Sequence, residues 1–106
     1  MKNTMEIIKD EIAKGKTSIT RTIVAKFEGN KIKVSVKSDN KDYKCTATLY
    51  GFDNNAMTWN SIDSIAPSSM TTQAGLKNET YNDDVIIKKT QNDIDNLLNI
   101  ATHLLD

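Results

Sequence analysis

Between residues 19 and 50 apolar and polar residues alternate in three runs, and this period of two predicts three antiparallel strands sharing one apolar face. Gly29-Asn30 reads as a tight two-residue turn, since glycine supplies the positive φ that such a turn requires. Pairing about that turn sets Phe27 opposite Ile32, Ala25 opposite Val34 and Ile23 opposite Val36, so every pair is apolar. Residues 38–42 form a second turn cluster, after which Tyr43, Cys45, Ala47 and Leu49 alternate with Lys44, Thr46, Thr48 and Tyr50. The predicted strands span 18–28, 31–37 and 43–51.

Outside this meander the period changes. Met1, Met5, Ile8 and Ile12 are spaced for one face of a helix over 3–14, with Asn3 as its cap, Glu6 completing a capping box and Gly15 as its stop. Ile7 falls off that stripe. At the other end Ile94, Leu97, Leu98, Ala101, Leu104 and Leu105 trace an uninterrupted helical stripe, and Thr90 with Asp93 reads as the capping box of a helix over 91–105. This helix is expected to lie across the apolar face of the sheet, with Ile100 on its flank. Val85 to Ile87, flanked by Asp83-Asp84 and Lys88-Lys89, reads as a short strand over 84–88.

Residues 52–83 are rich in Asn, Asp, Ser and Thr and read as a long loop, longer than the ~12–15 residues of ordinary connections. Within it Trp59, Ile62 and Ile65 suit a short helix after a Thr58 cap. The alternative is a fourth strand over 57–61 following an Asp53-Asn54-Asn55 turn, and the helical turn is slightly favoured. The fold class expected is therefore α+β: a single domain over 1–106, with an antiparallel meander of three to five strands, a C-terminal helix packed on it and an N-terminal helix. A chain of 106 residues buries about 60–65% of its unfolded surface in one core without staples.

Composition narrows the function by exclusion. The single cysteine, Cys45, has no internal partner for a disulfide, no run approaches the ~20 apolar residues of a membrane span, and residues 1–16 lack the apolar core of a signal peptide. A cytoplasmic protein without a membrane partner is expected. The 14 basic and 14 acidic residues balance, but residues 1–50 hold 11 basic and 6 acidic groups while 51–106 hold 3 and 8. Such a split suggests two surfaces with different partners, or head-to-tail self-association, so a homo-oligomer is compatible with it. The basic residues are nearly all lysine, and Asn and Ile are abundant, as in A/T-rich genomes of low-GC bacteria and of the phages and plasmids they carry.

Candidate chemistry is sparse. His103, the only histidine, faces away from the apolar stripe without a convincing partner in Asn99 or Asp106, and Cys45 faces the core, where a thiol is packing. Asp53, Asp63, Asp83 and Asp84 lack the spacing of a calcium loop, and no phosphate loop, nucleophile elbow or zinc-type cysteine pair is present. No catalytic residue, metal site or cofactor is therefore expected.

The outward face of the meander carries more. In the derived register Lys26 stands opposite Lys33, with Lys31, Lys37 and Lys44 nearby among threonines and serine, an arrangement that a polyanion would relieve of its self-repulsion. With Arg21 as the lone arginine and few outward aromatics, the sequence supports neither base-edge readout nor single-strand stacking. The order helix, three strands, helix resembles the double-stranded RNA-binding domain, with Lys88-Lys89 before the last helix similar to that family's helix-start lysines. The resemblance is one of element order, the segment after the third strand is far longer here, and no residue role is carried over. The function expected is a small non-catalytic binding protein, an accessory or inhibitor protein of a phage or plasmid, that occupies another protein through Phe52, Met57, Trp59, Ile7 and Ile100. The alternative is nucleic-acid binding through Lys26, Lys31, Lys33, Lys37 and Lys44.

Overall fold

A computed structural model describes residues 5–15, 18–39, 44–65 and 83–105. Five strands, β1 (Met5–Lys14), β2 (Ser18–Phe27), β3 (Asn30–Asp39), β4 (Lys44–Asp53) and β5 (Thr58–Ile65), form one antiparallel sheet in sequential order, followed by a helix, α1 (Asp83–Leu105). The class is α+β, a meander with a C-terminal helix. Among the described residues no helix is long and apolar enough to cross a membrane.

The helix lies mainly over β3 and reaches β2 and β4. Its Ile86, Ile94, Leu97 and Ala101 close against Ile19, Ile23, Ala25, Ile32, Val34, Val36, Ala47 and Leu49, all of them buried. These sheet residues are the apolar half of the alternation. Burying them on one helix leaves the opposite face of the sheet without a covering layer among the described residues.

The N-terminal helix expected over 3–14 is a strand. β1 pairs with β2 along its length, and its register shifts between Ile7 and Lys9. This bulge puts Met5 and Ile7 on the helix-facing side before it and Asp10, Ile12 and Lys14 on that side after it. One extra residue thus breaks the period of two, and the resulting apolar spacing imitates a helix. Gly15 is part of the β1–β2 connection, donating its N–H to the Ser18 carbonyl at 2.8 Å, and is not a helix stop. The expected cap Asn3 lies outside the described residues.

The short strand expected over 84–88 is also corrected, being the first turns of α1. Ile86 stands four residues before Thr90 and eight before Ile94, so the buried stripe runs back past the supposed cap. Asp83 and Asp84 occupy the first turn, where the helix dipole favours carboxylates. Thr90 is buried mid-helix and donates to the Ile86 carbonyl at 2.7 Å. Two of the supposed long loop's calls change as well: 58–65 is strand β5, the alternative reading, and the favoured helical turn is absent there. With a strand at the N-terminus, the likeness in element order to the double-stranded RNA-binding domain does not hold.

The β2–β3 turn is Glu28-Gly29, at φ 54° and 80°, and not Gly29-Asn30. Phe27 therefore pairs with Asn30, Ala25 with Ile32 and Ile23 with Val34. The register is displaced by two residues from the expected one. Displacement by an even number keeps every side chain on its own face, which is why the alternation alone did not distinguish the two.

Arg21 is the one polar intruder on the helix-facing side of β2, its side chain only 4% exposed. Its Nε and Nη2 donate to Asp10 Oδ1 and Oδ2 at 3.1 and 2.8 Å. Its Nη1 donates to the Ile87 carbonyl, Thr90 Oγ1 and Gln91 Oε1 at 3.2, 3.1 and 3.0 Å. The lone arginine thus ties the edge strand β1 to α1. It is spent on architecture and is unavailable to an external ligand.

Candidate functional site

The uncovered face of the sheet is organised in cross-strand rows. Nearest the β2–β3 turn, Lys26 pairs with Lys31, and Phe52 on β4 pairs with Trp59 on β5. The next row sets Val24, Lys33, Tyr50 and Ser61 side by side, and the one after it Thr22, Ser35, Thr48 and Ser64. Then come Thr20, Lys37 and Thr46. One end of the face is thus lysine and aromatic and the middle is hydroxyl with Lys37; Ser18, Asp39 and Lys44 make the last row, and Glu6, Lys9 and Glu11 flank the rows on β1. The expected opposition of Lys26 and Lys33 is corrected to Lys26 and Lys31 by the two-residue change of register.

Side chains in the first two rows interlock. Lys33 Nζ lies 4.6 Å from the centre of the Tyr50 ring and 4.9 Å from that of Trp59, spanning from β3 to β5. Lys31 Nζ stands 5.5 Å over Phe52. Phe52 and Trp59 meet edge to face with centroids 5.1 Å apart and planes at 65°. Each ammonium over a ring contributes about 0.5–1 kcal/mol at such exposed positions. The rings are partly exposed and sit in the same layer as the charges, so the surface offers π-faces and cations together.

Three aromatic residues on this face are more than the sequence reading allowed. Phe52 continues the outward alternation of Thr46, Thr48 and Tyr50, one residue beyond the predicted strand end at 51. Trp59, expected in the long loop, is a half-buried strand residue of the outer face.

The expected residues are therefore regrouped. Phe52 and Trp59, nominated for a protein partner, stand with Lys31 and Lys33, nominated for nucleic acid. Lys26 borders the cluster and Lys37 lies at the far end of the face. The Lys44 and Cys45 side chains lie outside the described set. Met57 is 71% exposed in the β4–β5 turn at φ 56°, and Ile7 is 48% exposed on the edge strand β1. Ile100 packs, partly buried, against the core. The last two share no surface with the aromatic cluster.

The acidic candidates are engaged locally. Asp53 Oδ1 accepts from the N–H groups of Asn55 and Ala56 at 2.9 and 3.1 Å, shaping the β4–β5 turn, and Asp83 pairs with Lys14 at 3.1 Å. Asp63 accepts from the Ser64 N–H at 2.8 Å. Among the described residues no three His, Cys, Asp or Glu side chains gather as a metal would need. His103 is exposed near the end of α1. Of the charged residues, Asp83, Asp84, Lys88 and Asp95 are exposed on the helix, with Asp83 paired to Lys14, while Lys26, Lys31, Lys33 and Lys37 stand on the outer sheet face.

No family model, curated protein or solved structure matches this chain.

Proposed function

We propose that this chain is a small non-catalytic binding protein that occupies another macromolecule through the outer face of β3, β4 and β5. The observation that carries the reading is the interlocked cluster of Lys31 and Lys33 with Tyr50, Phe52 and Trp59 on a face that no described element covers. Lysines are normally solvated and large aromatics normally buried, and interlocking both on an open sheet face suits a contact surface with a polar rim and aromatic anchors. The size and the Lys-, Asn- and Ile-rich composition fit a cytoplasmic accessory or inhibitor protein carried by a phage or plasmid of a low-GC bacterium.

The test is capture from a low-GC bacterial lysate, with and without nuclease, by the wild-type chain and by a Lys33→Gln/Trp59→Ala variant whose melting temperature is first measured. The reading expects a stoichiometric species retained by the wild type and lost by a folded variant. Equal retention by both would place the binding surface elsewhere.

A further inference from the structure

Resting on that reading, we propose that the ligand of the outer face is a single-stranded nucleic acid, its backbone following β3 and its bases stacking on the Phe52 and Trp59 rings. The charge argument comes first. The outward positions of 20–26, 31–37 and 46–52 carry Lys26, Lys31, Lys33 and Lys37 and no carboxylate; the acids at outward register positions are Glu6 and Glu11 on the edge strand β1, Glu11 paired with Lys9 at 3.6 Å, and Asp39 at the far end of β3 in register with Lys44. The helix side carries exposed Asp84 and Asp95, with Asp83 paired to Lys14, against exposed Lys88, so the lysine-bearing sheet side is the more favourable approach for a polyanion.

The rings decide between single strand and duplex. A duplex keeps its bases stacked inside and presents phosphates to a flat surface, so it would use the lysines and leave three partly exposed aromatics without a role. A single strand has free base faces, and stacking on an aromatic platform beside a cationic groove is how such strands are held without sequence preference. Lys31 and Lys33 are two residues apart on one strand, about 6.7 Å, and Lys37 continues the same line about 13 Å further. Both of the first two ammonium groups already rest on ring faces. A base that takes the ring face displaces an ammonium that is then within reach of that nucleotide's phosphate. Between Lys33 and Lys37, Ser35 with Thr22 and Thr48 beside it offers hydroxyl donors to phosphate oxygens. With Arg21 held at Asp10 and α1, no arginine is available for bidentate base reading, so the binding is tolerant of sequence.

The test is fluorescence anisotropy with a labelled mixed-sequence oligonucleotide, single-stranded and annealed to its complement, at several salt concentrations. The proposal expects the single strand to bind about 10-fold or more tighter than the duplex, and Phe52→Ala to weaken it about 5- to 100-fold with little change in salt slope. Lys31→Gln/Lys33→Gln should flatten the slope by about 0.7 per lost contact while the variant melts normally, which keeps the test informative if Phe52→Ala fails to fold. Equal affinity for duplex and single strand, or a folded Phe52→Ala variant that binds as well as wild type, would overturn the stacking proposal. Failure to bind either nucleic acid, with a protein captured from lysate in a Lys33- and Trp59-dependent way, would overturn the ligand class and leave the binding face standing. Failure in both assays would remove both.

Discussion

Asp10 on the edge strand and Arg21 on its neighbour are joined by two parallel hydrogen bonds of 3.1 and 2.8 Å, with the arginine side chain 4% exposed and the carboxylate 39%. The asymmetry in burial sets the energetics. Arg21 is the charge removed from water, and its remaining donor Nη1 is occupied by α1.

Asp10→Ala leaves a buried guanidinium without its counter-charge and is expected to destabilise by about 3 kcal/mol. Arg21→Met removes the buried charge and leaves a carboxylate that water reaches, so it should cost less. Urea denaturation at neutral pH checks the order, and a larger loss for Arg21→Met would contradict it.

The helix-to-sheet contact predicts a contrast between two leucines about two turns apart on α1. Leu97 is fully buried and Leu104 is 57% exposed, although both belong to the expected stripe. Leu97→Ala should lower stability by about 2–5 kcal/mol, and Leu104→Ala by about 0.5 kcal/mol or less. Thermal or chemical melts of the two variants measure this directly.

Glu28 stands at φ 54° in the β2–β3 turn, a conformation that asparagine tolerates far better than glutamate. Glu28→Asn creates an Asn-Gly turn and should raise stability by about 0.5–1 kcal/mol. A loss of stability, or cross-strand proton contacts linking Phe27 to Ile32 in place of Asn30, would contradict the observed register.

His103 is exposed on the last turn of α1, remote in the fold from the outer sheet face. His103→Ala should change stability by less than about 0.5 kcal/mol and leave oligonucleotide affinity unchanged. Loss of binding in a folded variant would reveal a second contact surface.

The central three strands were legible because Ile23, Ala25, Ile32, Val34, Ala47 and Leu49 alternate without interruption and one face is buried. The first strand was not, because a bulge at Ile8 shifts the inward set from odd to even positions. The true start of α1 at Asp83 is masked in the sequence because Thr90 and Asp93 imitate a capping box, whereas both are buried and Thr90 completes the Arg21 network. The lysines of the site were visible as outward positions. The aromatic half was hidden because β5 is polar apart from Trp59, Ile62 and Ile65, and only its pairing with β4 brings Trp59 against Phe52. The rule that an outward run continues until a turn signal would have kept Phe52 in its strand, since Asp53-Asn54-Asn55 comes after it.

Trp59 is the only tryptophan in the chain and lies 4.9 Å from Lys33 Nζ within the proposed site, so its emission reports on that surface alone. Selective excitation of the indole during titration with a single-stranded oligonucleotide at low salt tests the account most directly. The account predicts saturable quenching with the midpoint found by anisotropy, moved to higher oligonucleotide concentration by Lys31→Gln/Lys33→Gln. Saturating binding with unaltered Trp59 emission, or no binding at all, would contradict it.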